Sequence, residues 1–289
     1  MSIPYLRTHD ELRQGSVRGK PLVVHKDHRW LLPILFHLQT EGHLPRPCDL
    51  VMFDAHHDAC TPRCAREIMM LRKEGVTIDG LIDLCREHLN PLDDDWLVAG
   101  IELGLIRDAV LFGVEDRSPS QTDHLREYAD HLDEPHRVHI LEFPGEELEY
   151  QGALSDLARH DRVAPIWDIL GWDFRQRQFG FHHERQPFLL DIDLDCFVIR
   201  WRGFMLPWPD EVFHKEFGAR SHEGARGWSG EQFFSELAAR AGAVTIATEP
   251  RHCGGNSKAE VIFGQINRHL FNGDLLLPEH AASPSGSDA

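Results

Sequence analysis

The stretch Val51-Met52-Phe53-Asp54-Ala55-His56-His57-Asp58 decides how this sequence is interpreted. Residues 50–53 predict a buried strand, because a short apolar run of this kind is typical of a strand covered on both faces. Directly after it, Asp54, His56 and Asp58 occupy every second position, so their side chains leave an extended backbone on the same side. Two carboxylates and an imidazole placed in this way make a poor core and indicate a ligand site.

A second strand end repeats the pattern. Residues 187–190 read as a strand, and the alternating carboxylates Asp191, Asp193 and Asp195 follow. Carboxylates crowded at the ends of two buried strands repel one another and lose hydration unless cations neutralise them. In open α/β sheets, ligands collect beyond the carboxyl ends of the strands, so we expect both sets in one crevice. The simplest interpretation is a metal site.

Length and composition limit the fold and the partners. The chain has 289 residues, enough for one large α/β domain. It carries 30 Lys+Arg against 47 Asp+Glu, a formal net charge of −17, which disfavours nucleic acid and anionic membranes and favours a cationic substrate. No apolar run approaches the roughly 18 residues of a membrane span. The six cysteines show no paired framework, which fits reduced thiols in a cytoplasmic protein.

The alternation of strands and helices predicts an α/β fold, a three-layer αβα arrangement with a mainly parallel central sheet. The predicted strands are residues 21–25, 50–53, 109–114, 138–143, 187–190 and 243–248. The predicted helices are residues 29–39, 63–74, 78–89, 93–105, 122–132, 148–160, 229–242 and 256–271. We expect a polar lead-in at 1–20, a hairpin at 172–185, and one domain over 1–280 with a disordered tail at 281–289.

Marked side chains follow four of these strands. They are His28, Asp54, His56, Asp58, Asp193, Asp195 and Glu249. The four aspartates of this set carry negative charge that two divalent cations would balance, and the two imidazoles complete the coordination. An oxygen-rich set with two nitrogens and no thiolate favours Mn²⁺ over zinc, and Fe²⁺ or Co²⁺ would also fit. Two metal ions that share carboxylates lower the pKa of a bridging water, so the implied reaction is hydrolysis.

These motifs resemble those of a known family. Asp54-Ala55-His56-His57-Asp58 is similar to the Asp-Ala-His-x-Asp signature of the arginase family of ureohydrolases. Lys26-Asp27-His28 resembles the Gly-Gly-Asp-His start of that family, and Ile192-Asp193-Leu194-Asp195 resembles its Asp-x-Asp. Thr248-Glu249-Pro250 resembles its late Glu at a strand end, and order and approximate spacing agree over residues 20–250. The resemblance implies an arginase-like catalytic domain over residues 1–280.

The resemblance also implies roles for the marked side chains. One manganese would be held by His28, Asp54, Asp58 and Asp193, and the other by Asp54, His56, Asp193 and Asp195. Asp58 would also orient a bridging hydroxide, and Glu249 would pair with the guanidinium of the substrate through two parallel hydrogen bonds. Attack on the guanidinium carbon would then release urea and leave an amine. Asp58 and Glu249 are therefore the expected catalytic residues.

Departures from the family pattern narrow the range of expected substrates. The Ser-Gly-Asn-Leu-His-Gly loop, by which free-arginine enzymes place the amino-acid end and shuttle a proton, is absent after Asp58. No histidine occurs between Asp58 and His88, so the shuttle stays open between His88, His252 and a water. A missing clamp for the free amino acid makes the pattern most similar to the peptide arginases, which convert arginine residues of a ribosomally made precursor peptide into ornithine. The expected partner is such a peptide; the sequence carries no signal for an oligomeric state.

Two other functions remain open at this stage. One is a ureohydrolase-fold enzyme for a free guanidino or amide compound, including single-zinc deacetylase relatives, although that version leaves His28, Asp58 and Asp195 unused. The other is a non-catalytic, metal-stabilised binding protein, for which Glu249 would be superfluous. Urea release from an arginine-containing peptide, compared with free arginine, separates the first two functions.

Neighbouring polar residues have simpler interpretations. We expect Asp191 to be a structural hydrogen-bonding residue and His57, which is out of phase, to support the ligands rather than join them. Cys60 and Cys64 lack a second pair that would complete a zinc site. The acidic run Asp93-Asp94-Asp95 is expected to cap a helix N-terminus.

Overall fold

A central sheet organises the part of the chain that the structure describes. This computed structural model describes residues 12–90, 94–113, 125–130, 132, 134–141, 172–173, 178–179, 187–218 and 230–277. The strands are β1 (Arg13–Val17), β2 (Lys20–His25), β3 (Cys48–Phe53), β4 (Ile106–Phe112), β5 (Leu125–Ala129), β6 (Pro135–Leu141), β7 (Trp172–Asp173), β8 (Gln178–Phe179), β9 (Leu189–Asp193), β10 (Val198–Trp201), β11 (Phe204–Pro207), β12 (Ala243–Ala247) and β13 (Leu275–Leu276).

Nine of these described strands form one sheet, in the order β13-β1-β2-β12-β9-β3-β4-β6-β5. From β2 to β6 every neighbouring pair in this order is parallel. Strands β1, β13 and β5 pair antiparallel towards the two edges. The predicted mainly parallel sheet is therefore confirmed. Strands β2, β12, β9 and β3 lie side by side, so their carboxyl ends, where the marked residues follow, meet at one place.

Helices cover both faces of the sheet. The described α-helices are α1 (Leu31–Thr40), α2 (Ala65–Glu74), α3 (Ile78–Asp83), α4 (Trp96–Glu102), α5 (Asp210–Gly218), α6 (Gly230–Arg240), α7 (Pro250–Cys253) and α8 (Asn256–His269). Val51 and Phe53 belong to a core with residues of α6 and α8, whereas Leu50 and Met52 belong to a second core with residues of α1 and α4. Because alternate side chains of one strand enter opposite cores, the fold has the three predicted layers.

Three of the four strands that lead to the site are buried along their whole length. Every residue of β3, β9 and β12 is inaccessible to solvent or nearly so. Phe53 stacks on Phe112 with ring centroids 5.0 Å apart, and full burial of such a side chain contributes about 1.5–3 kcal/mol. The sheet is thus a rigid support for the residues that follow its strands.

One predicted helix is wrong. Within residues 122–132, the structure places strand β5, which pairs antiparallel with β6, Arg126 opposite Val138. The apolar positions Leu125, Tyr128 and Ala129 have helical spacing. Pairing with the otherwise open edge of β6 overrides that local preference, since strand formation depends strongly on tertiary context.

Two hairpins were not predicted. Strand β1 lies within the expected polar lead-in and joins β2 through Arg18-Gly19, both with positive φ, 50° and 77°. Strands β10 and β11 form a separate two-stranded ribbon joined by Arg202-Gly203, with φ of 49° and 82°. Positive φ at both central residues is the geometry of tight two-residue hairpin turns.

Four other predictions are confirmed only in part or fall on residues that the structure does not describe. The helix predicted at 93–105 is confirmed only over Trp96–Glu102. The predicted hairpin at 172–185 is represented by the antiparallel pair β7 and β8. The predicted helix at 148–160 and the tail at 281–289 lie outside the described residues.

Candidate metal centre

The four adjacent strand ends bring all seven marked side chains into one region. His28 opens a 3₁₀ turn, His28–Trp30, that follows β2. Asp54 directly follows β3, Asp193 ends β9, and Asp195 lies in the 3₁₀ turn Leu194–Phe197 after it. Glu249 follows β12. These residues therefore converge because their strands are neighbours, as the rule for open α/β sheets predicts.

His28 lies at the centre of the carboxylates. Its Nδ1 is 3.2 Å from Oδ2 of Asp54, 3.0 Å from Oδ2 of Asp58 and 3.3 Å from Oδ2 of Asp193. One imidazole N–H cannot satisfy three carboxylates, so the remaining negative charge calls for a cation. The ring is fully buried, which makes that charge costly to leave uncompensated.

The other nitrogen of His28 has a fixed partner. Its Nε2 lies 2.6 Å from Oδ2 of Asp191, and the hydroxyl of Thr245 donates to the other oxygen of the same carboxylate. Asp191 is thus the hydrogen-bonding residue that the phase of the strand predicted. A carboxylate that accepts the Nε2–H fixes the ring with Nδ1 available as a ligand, which is the usual support of a metal-binding histidine.

Three aspartates each use one carboxylate oxygen for a backbone hydrogen bond and turn the other towards an imidazole. One oxygen accepts a backbone N–H, from His56 to Asp54 at 2.7 Å, from Asp195 to Asp193 at 3.0 Å, and from Ala55 to Asp195 at 3.3 Å. The other oxygen of each, Oδ2, faces an imidazole of the cluster. The backbone contacts hold the carboxylates in place, so the Oδ2 atoms are pre-positioned for a ligand.

His56 marks a second position beside the first. Its Nδ1 is 3.0 Å from Oδ2 of Asp195 and 3.7 Å from Oδ1 of Asp54. His252, on α7, joins this position, since its ring lies edge-on to His56 with centroids 5.2 Å apart. Potential ligand atoms of His56, Asp195 and His252 lie within 4.8 Å of one another.

The donor set fits divalent cations. Three further groups have potential ligand atoms within the same 4.8 Å: His28 with Asp54 and Asp58, His28 with Asp193 and Glu249, and Asp54 with Asp193 and Asp195. Asp54 and Asp193 each occur in two of them, as bridging ligands would. Nδ1 of His28, Oδ2 of Asp54 and Oδ2 of Asp195 are buried with no hydrogen-bond partner among the described residues. Such atoms are costly unless a cation completes them.

Asp58 is held by a residue that the sequence did not single out. The indole N–H of Trp96 donates to its Oδ2 at 2.6 Å, and the Trp96 ring packs against His28 with centroids 4.7 Å apart. Asp58 itself has a φ of 47°, which is uncommon for a non-glycine residue. No local pattern of the sequence indicates this contact, because Trp96 lies 38 residues beyond Asp58 along the chain.

Glu249 closes the cluster from the side of β12. Its Oε1 accepts the backbone N–H of His28 at 3.1 Å, and Oε2 lies 4.0 Å from Nε2 of His252. The residue is only 6% exposed and has a φ of 29°. Backbone strain of this kind clusters at functional sites, since it persists only where the surroundings hold it.

Crowding and burial shift the ionisation of the cluster. Burial, together with the charge of Asp54, raises the pKa of Asp58 to about 7. Burial and the charge of Asp195 raise the pKa of Asp193 well above its usual range. Burial and Asp193 raise the pKa of Glu249 to about 11. Without cations the cluster therefore retains protons, which metal ions would displace.

The two imidazoles respond in the opposite sense. Burial alone would lower the pKa of His28, but the charge of Asp191 and the surrounding carboxylates raise it well above its usual range. At His56 burial also acts to lower the pKa, but the nearby carboxylates of Asp195 and Asp54 outweigh it and raise the pKa of the ring to about 12. Both rings thus carry positive charge until other cations replace it.

The two histidines named for proton transfer lie in different places. His88 is in the π-helical turn Leu84–His88, and its Nε2 is 3.8 Å from Oδ2 of Asp83, the last residue of α3. It is not among the described residues whose ligand atoms converge. His252 lies against His56 and Glu249.

His57, Cys60 and Cys64 are not among the described residues whose ligand atoms converge. His57 accepts the backbone N–H of Ala59 at 3.1 Å, and neither cysteine forms a disulfide bond among the described residues. The capping prediction for the acidic run needs correction. Asp95 precedes α4, but its side chain makes no cap hydrogen bond and instead accepts the backbone N–H of Asn90.

Comparisons with known proteins add no family. No protein-family model matches the sequence, and no curated protein matches it either. Among the described helices, none combines the length and the apolar character needed to cross a membrane. Any statement on activity therefore depends on the geometry of the site and on the motif resemblance.

Proposed function

We propose that this chain is a manganese-dependent hydrolase that acts on the guanidinium group of arginine residues in a precursor peptide, giving ornithine residues and urea. One observation carries this proposal: imidazole and carboxylate atoms of all six proposed ligands converge at neighbouring strand ends, with Glu249 beside them. The motif order of the arginase family adds a reaction class to that geometry.

The proposed ligands divide between two positions. His28, Asp54, Asp58 and Asp193 would hold one ion, and Asp54, His56, Asp193 and Asp195 the other. Manganese suits this oxygen-rich set, and Fe²⁺ or Co²⁺ would fit it as well. Bound there, the ions would supply a water-derived nucleophile near neutral pH and neutralise developing negative charge.

Glu249 would receive the substrate. Its Oε1 is fixed by the N–H of His28, so the carboxylate has a defined position at the edge of the proposed metal site. Burial and the charge of Asp193 raise its pKa to about 11, because the described imidazoles near it are too weak a cationic partner to offset these effects. An arriving guanidinium would provide that partner and favour the carboxylate form, because an opposite charge lowers the pKa of a carboxyl group.

Proton delivery to the leaving amine is assigned to His252. Its ring lies against His56 and near Glu249, whereas His88 faces Asp83 at the end of α3 and is not among the described residues whose ligand atoms converge. Burial lowers the pKa of His252 from its ordinary value, so the ring is neutral near neutral pH and would have to take up a proton before it delivers one. Asp58, held by Trp96, would orient the attacking water.

A peptide is the proposed substrate because the family loop that clamps free arginine is missing after Asp58. The net charge of −17 suits a ligand that carries arginines. Among the described residues, none of the six cysteines forms a disulfide bond, which fits the reducing cytoplasm as the proposed compartment.

Urea release is the direct test. The purified protein is loaded with Mn²⁺ and incubated with an arginine-containing precursor peptide or with free arginine, and urea and the mass change of the peptide are measured. We expect urea from the peptide and little from free arginine. Equal use of free arginine would favour the small-molecule ureohydrolase, and metal uptake without turnover of any guanidine would refute the catalytic proposal.

A further inference from the structure

The ribbon β10–β11 places an arginine against the candidate metal centre. Nη2 of Arg200 lies 3.2 Å from Nε2 of His56 and 3.6 Å from Oδ2 of Asp195. Arg200 is directly opposite Met205, whose side chain packs against the core beside Gly254. This face of the ribbon therefore points into the molecule.

The other face of the ribbon is open to solvent. It carries four exposed apolar side chains, Ile199, Trp201, Phe204 and Leu206. The side chain of Arg200 is itself 42% exposed. Its guanidinium thus has room to leave His56 without disturbing a packed core.

The position of Arg200 conflicts with a metal ion on His56. Nδ1 of His56 faces Asp195 and Asp54 and is the nitrogen that would bind the ion. A neutral imidazole bound through Nδ1 carries its hydrogen on Nε2, which is then a donor. Arginine has only donors, so two N–H groups would face each other at 3.2 Å. A ring that is protonated on both nitrogens before the ion arrives presents the same N–H to Arg200, and the ion then brings two positive charges beside the guanidinium in place of one.

The position around His28 has no such conflict. There the nitrogen away from the cluster faces the carboxylate of Asp191, an acceptor, at 2.6 Å. Metal-binding histidines usually donate this second N–H to a carboxylate, a carbonyl or water. His28 therefore already has the acceptor that a metal-binding histidine needs on its second nitrogen. His56 instead has the guanidinium of Arg200 next to its second nitrogen.

We propose that Arg200 is the internal counter-cation of the His56 position, which the second metal ion must displace, so that the two positions load in a fixed order. The inference depends on the metal centre proposed above. The first ion enters the buried position at His28. The second ion replaces the guanidinium beside Asp195. It binds more weakly than the first ion, because the positive guanidinium of Arg200 must first be moved away from His56 and Asp195.

Manganese binding to the metal-free protein tests this order without any assay of activity. Titration calorimetry gives the affinities of both steps, and electron paramagnetic resonance reports when spin-coupled Mn²⁺ pairs form. For the wild type we expect a tight and a weak step. In Arg200→Gln the affinity of the second step should rise by about tenfold, because the repulsion by the guanidinium is lost. The affinity of the first step should stay within about twofold of the wild-type value, and spin-coupled pairs should form at a lower Mn²⁺ concentration.

Arg202→Gln is the matched control. Its guanidinium lies over the Trp201 ring at 4.7 Å on the same ribbon, so the variant removes an equal charge from a different contact. Both Mn²⁺ steps should keep their wild-type affinities in that variant. Arg200→Met, which retains the aliphatic stem, replaces the glutamine variant if circular dichroism shows that the latter does not fold.

The outcomes separate this inference from the proposed function. If the wild type binds two Mn²⁺ ions and loss of Arg200 leaves the second affinity unchanged or weaker, Arg200 is not displaced and the inference alone is wrong. An equal gain of affinity in Arg202→Gln would also refute it, since general charge would then be the cause. If the wild type takes up no Mn²⁺, both the metal centre and the inference fail.

Discussion

Asp191 and Asp193 are two positions apart on β9, yet they have different chemical surroundings. Asp191 accepts hydrogen bonds from His28 and from the hydroxyl of Thr245. Asp193 faces the other nitrogen of His28 at 3.3 Å, together with the carboxylates of the cluster. The same imidazole therefore separates a supporting aspartate from a proposed metal ligand, and substitutions at the two positions should differ in severity.

Substitution of these two aspartates by asparagine is the first prediction. Asp193→Asn should lower Mn²⁺ affinity by at least about a hundredfold and abolish urea release, because a proposed bridging carboxylate is lost. Asp191→Asn keeps an acceptor near His28 but loses its charge, so we expect a loss of about tenfold. Calorimetry and metal analysis of purified variants give both values. Equal Mn²⁺ affinities in the two variants would contradict the assignment of Asp193 as a ligand.

Glu249→Gln tests the proposed contact with the substrate. The amide keeps an oxygen for the N–H of His28 but cannot meet a guanidinium with a negative charge. We expect wild-type Mn²⁺ content and a fall in kcat/KM by about 10²–10³-fold for an arginine peptide. Normal turnover in this variant would show that the guanidinium binds elsewhere. Asp193→Asn serves as the contrast, since it should lose metal as well.

At the scale of elements, neighbouring strand ends create the candidate site. Residues that directly follow a strand could therefore be predicted from the sequence, and residues from other segments could not. The acids after β3 and β9 follow apolar runs, so both the strands and the ligands were visible in the sequence. Arg200 and Trp96 were not, because they reach His56 and Asp58 from distant segments that no local pattern connects to the site. The same limit explains β5, whose strand form depends on pairing with β6.

The hairpins β1–β2 and β10–β11, which were not predicted, share a local feature in their turns. Arg18-Gly19 and Arg202-Gly203 both turn with positive φ at their two central residues. Strand β1, Arg-Gln-Gly-Ser-Val, has neither an apolar run nor hydrophobic alternation. Glycine at the second turn position was the available clue, since it adopts positive φ without steric cost.

Burial of the central strands on both faces leads to a prediction on stability. Leu190 lies in β9 with no exposed surface, in the core beneath the site. Leu190→Ala should lower the free energy of unfolding by about 2–5 kcal/mol, through lost apolar burial and the cavity left behind. Denaturant titration measures the change. Leu276→Ala, at a residue 62% exposed in the edge strand β13, should change it by no more than about 0.5 kcal/mol; similar losses at both positions would argue against the three-layer core.

At the scale of the whole molecule, a concentrated group of acids lies inside a protein that already carries a net charge of −17. The strand ends can hold these carboxylates together only when protons, the two imidazolium rings or metal ions offset them. Protons and the proposed metal ions would therefore compete for the same oxygens, and folding, pH and metal content would be linked.

This competition fixes the sign of a pH effect. The pKa of Asp58 is raised to about 7 from an ordinary value of 3.8, so the folded protein binds more protons than the unfolded chain between those two pH values. Stability of the metal-free protein from this group is therefore fully present below about pH 4 and is lost as the pH rises through about 7. Mn²⁺ requires the deprotonated carboxylate, so its stabilising effect should grow over the same range.

Thermal unfolding with and without a chelator, at pH 6 and pH 8, measures both effects together. Mn²⁺ should raise the Tm by several degrees at pH 8 and by clearly less at pH 6, because at the lower pH a proton must leave Asp58 before the ion binds. In Asp193→Asn the Mn²⁺ effect should nearly disappear at both pH values, since the ion loses a bridging carboxylate. A Mn²⁺ effect of equal size at pH 6 and pH 8 in the wild type would mean that no buried carboxyl group titrates on loading, and the ions would then bind outside this cluster.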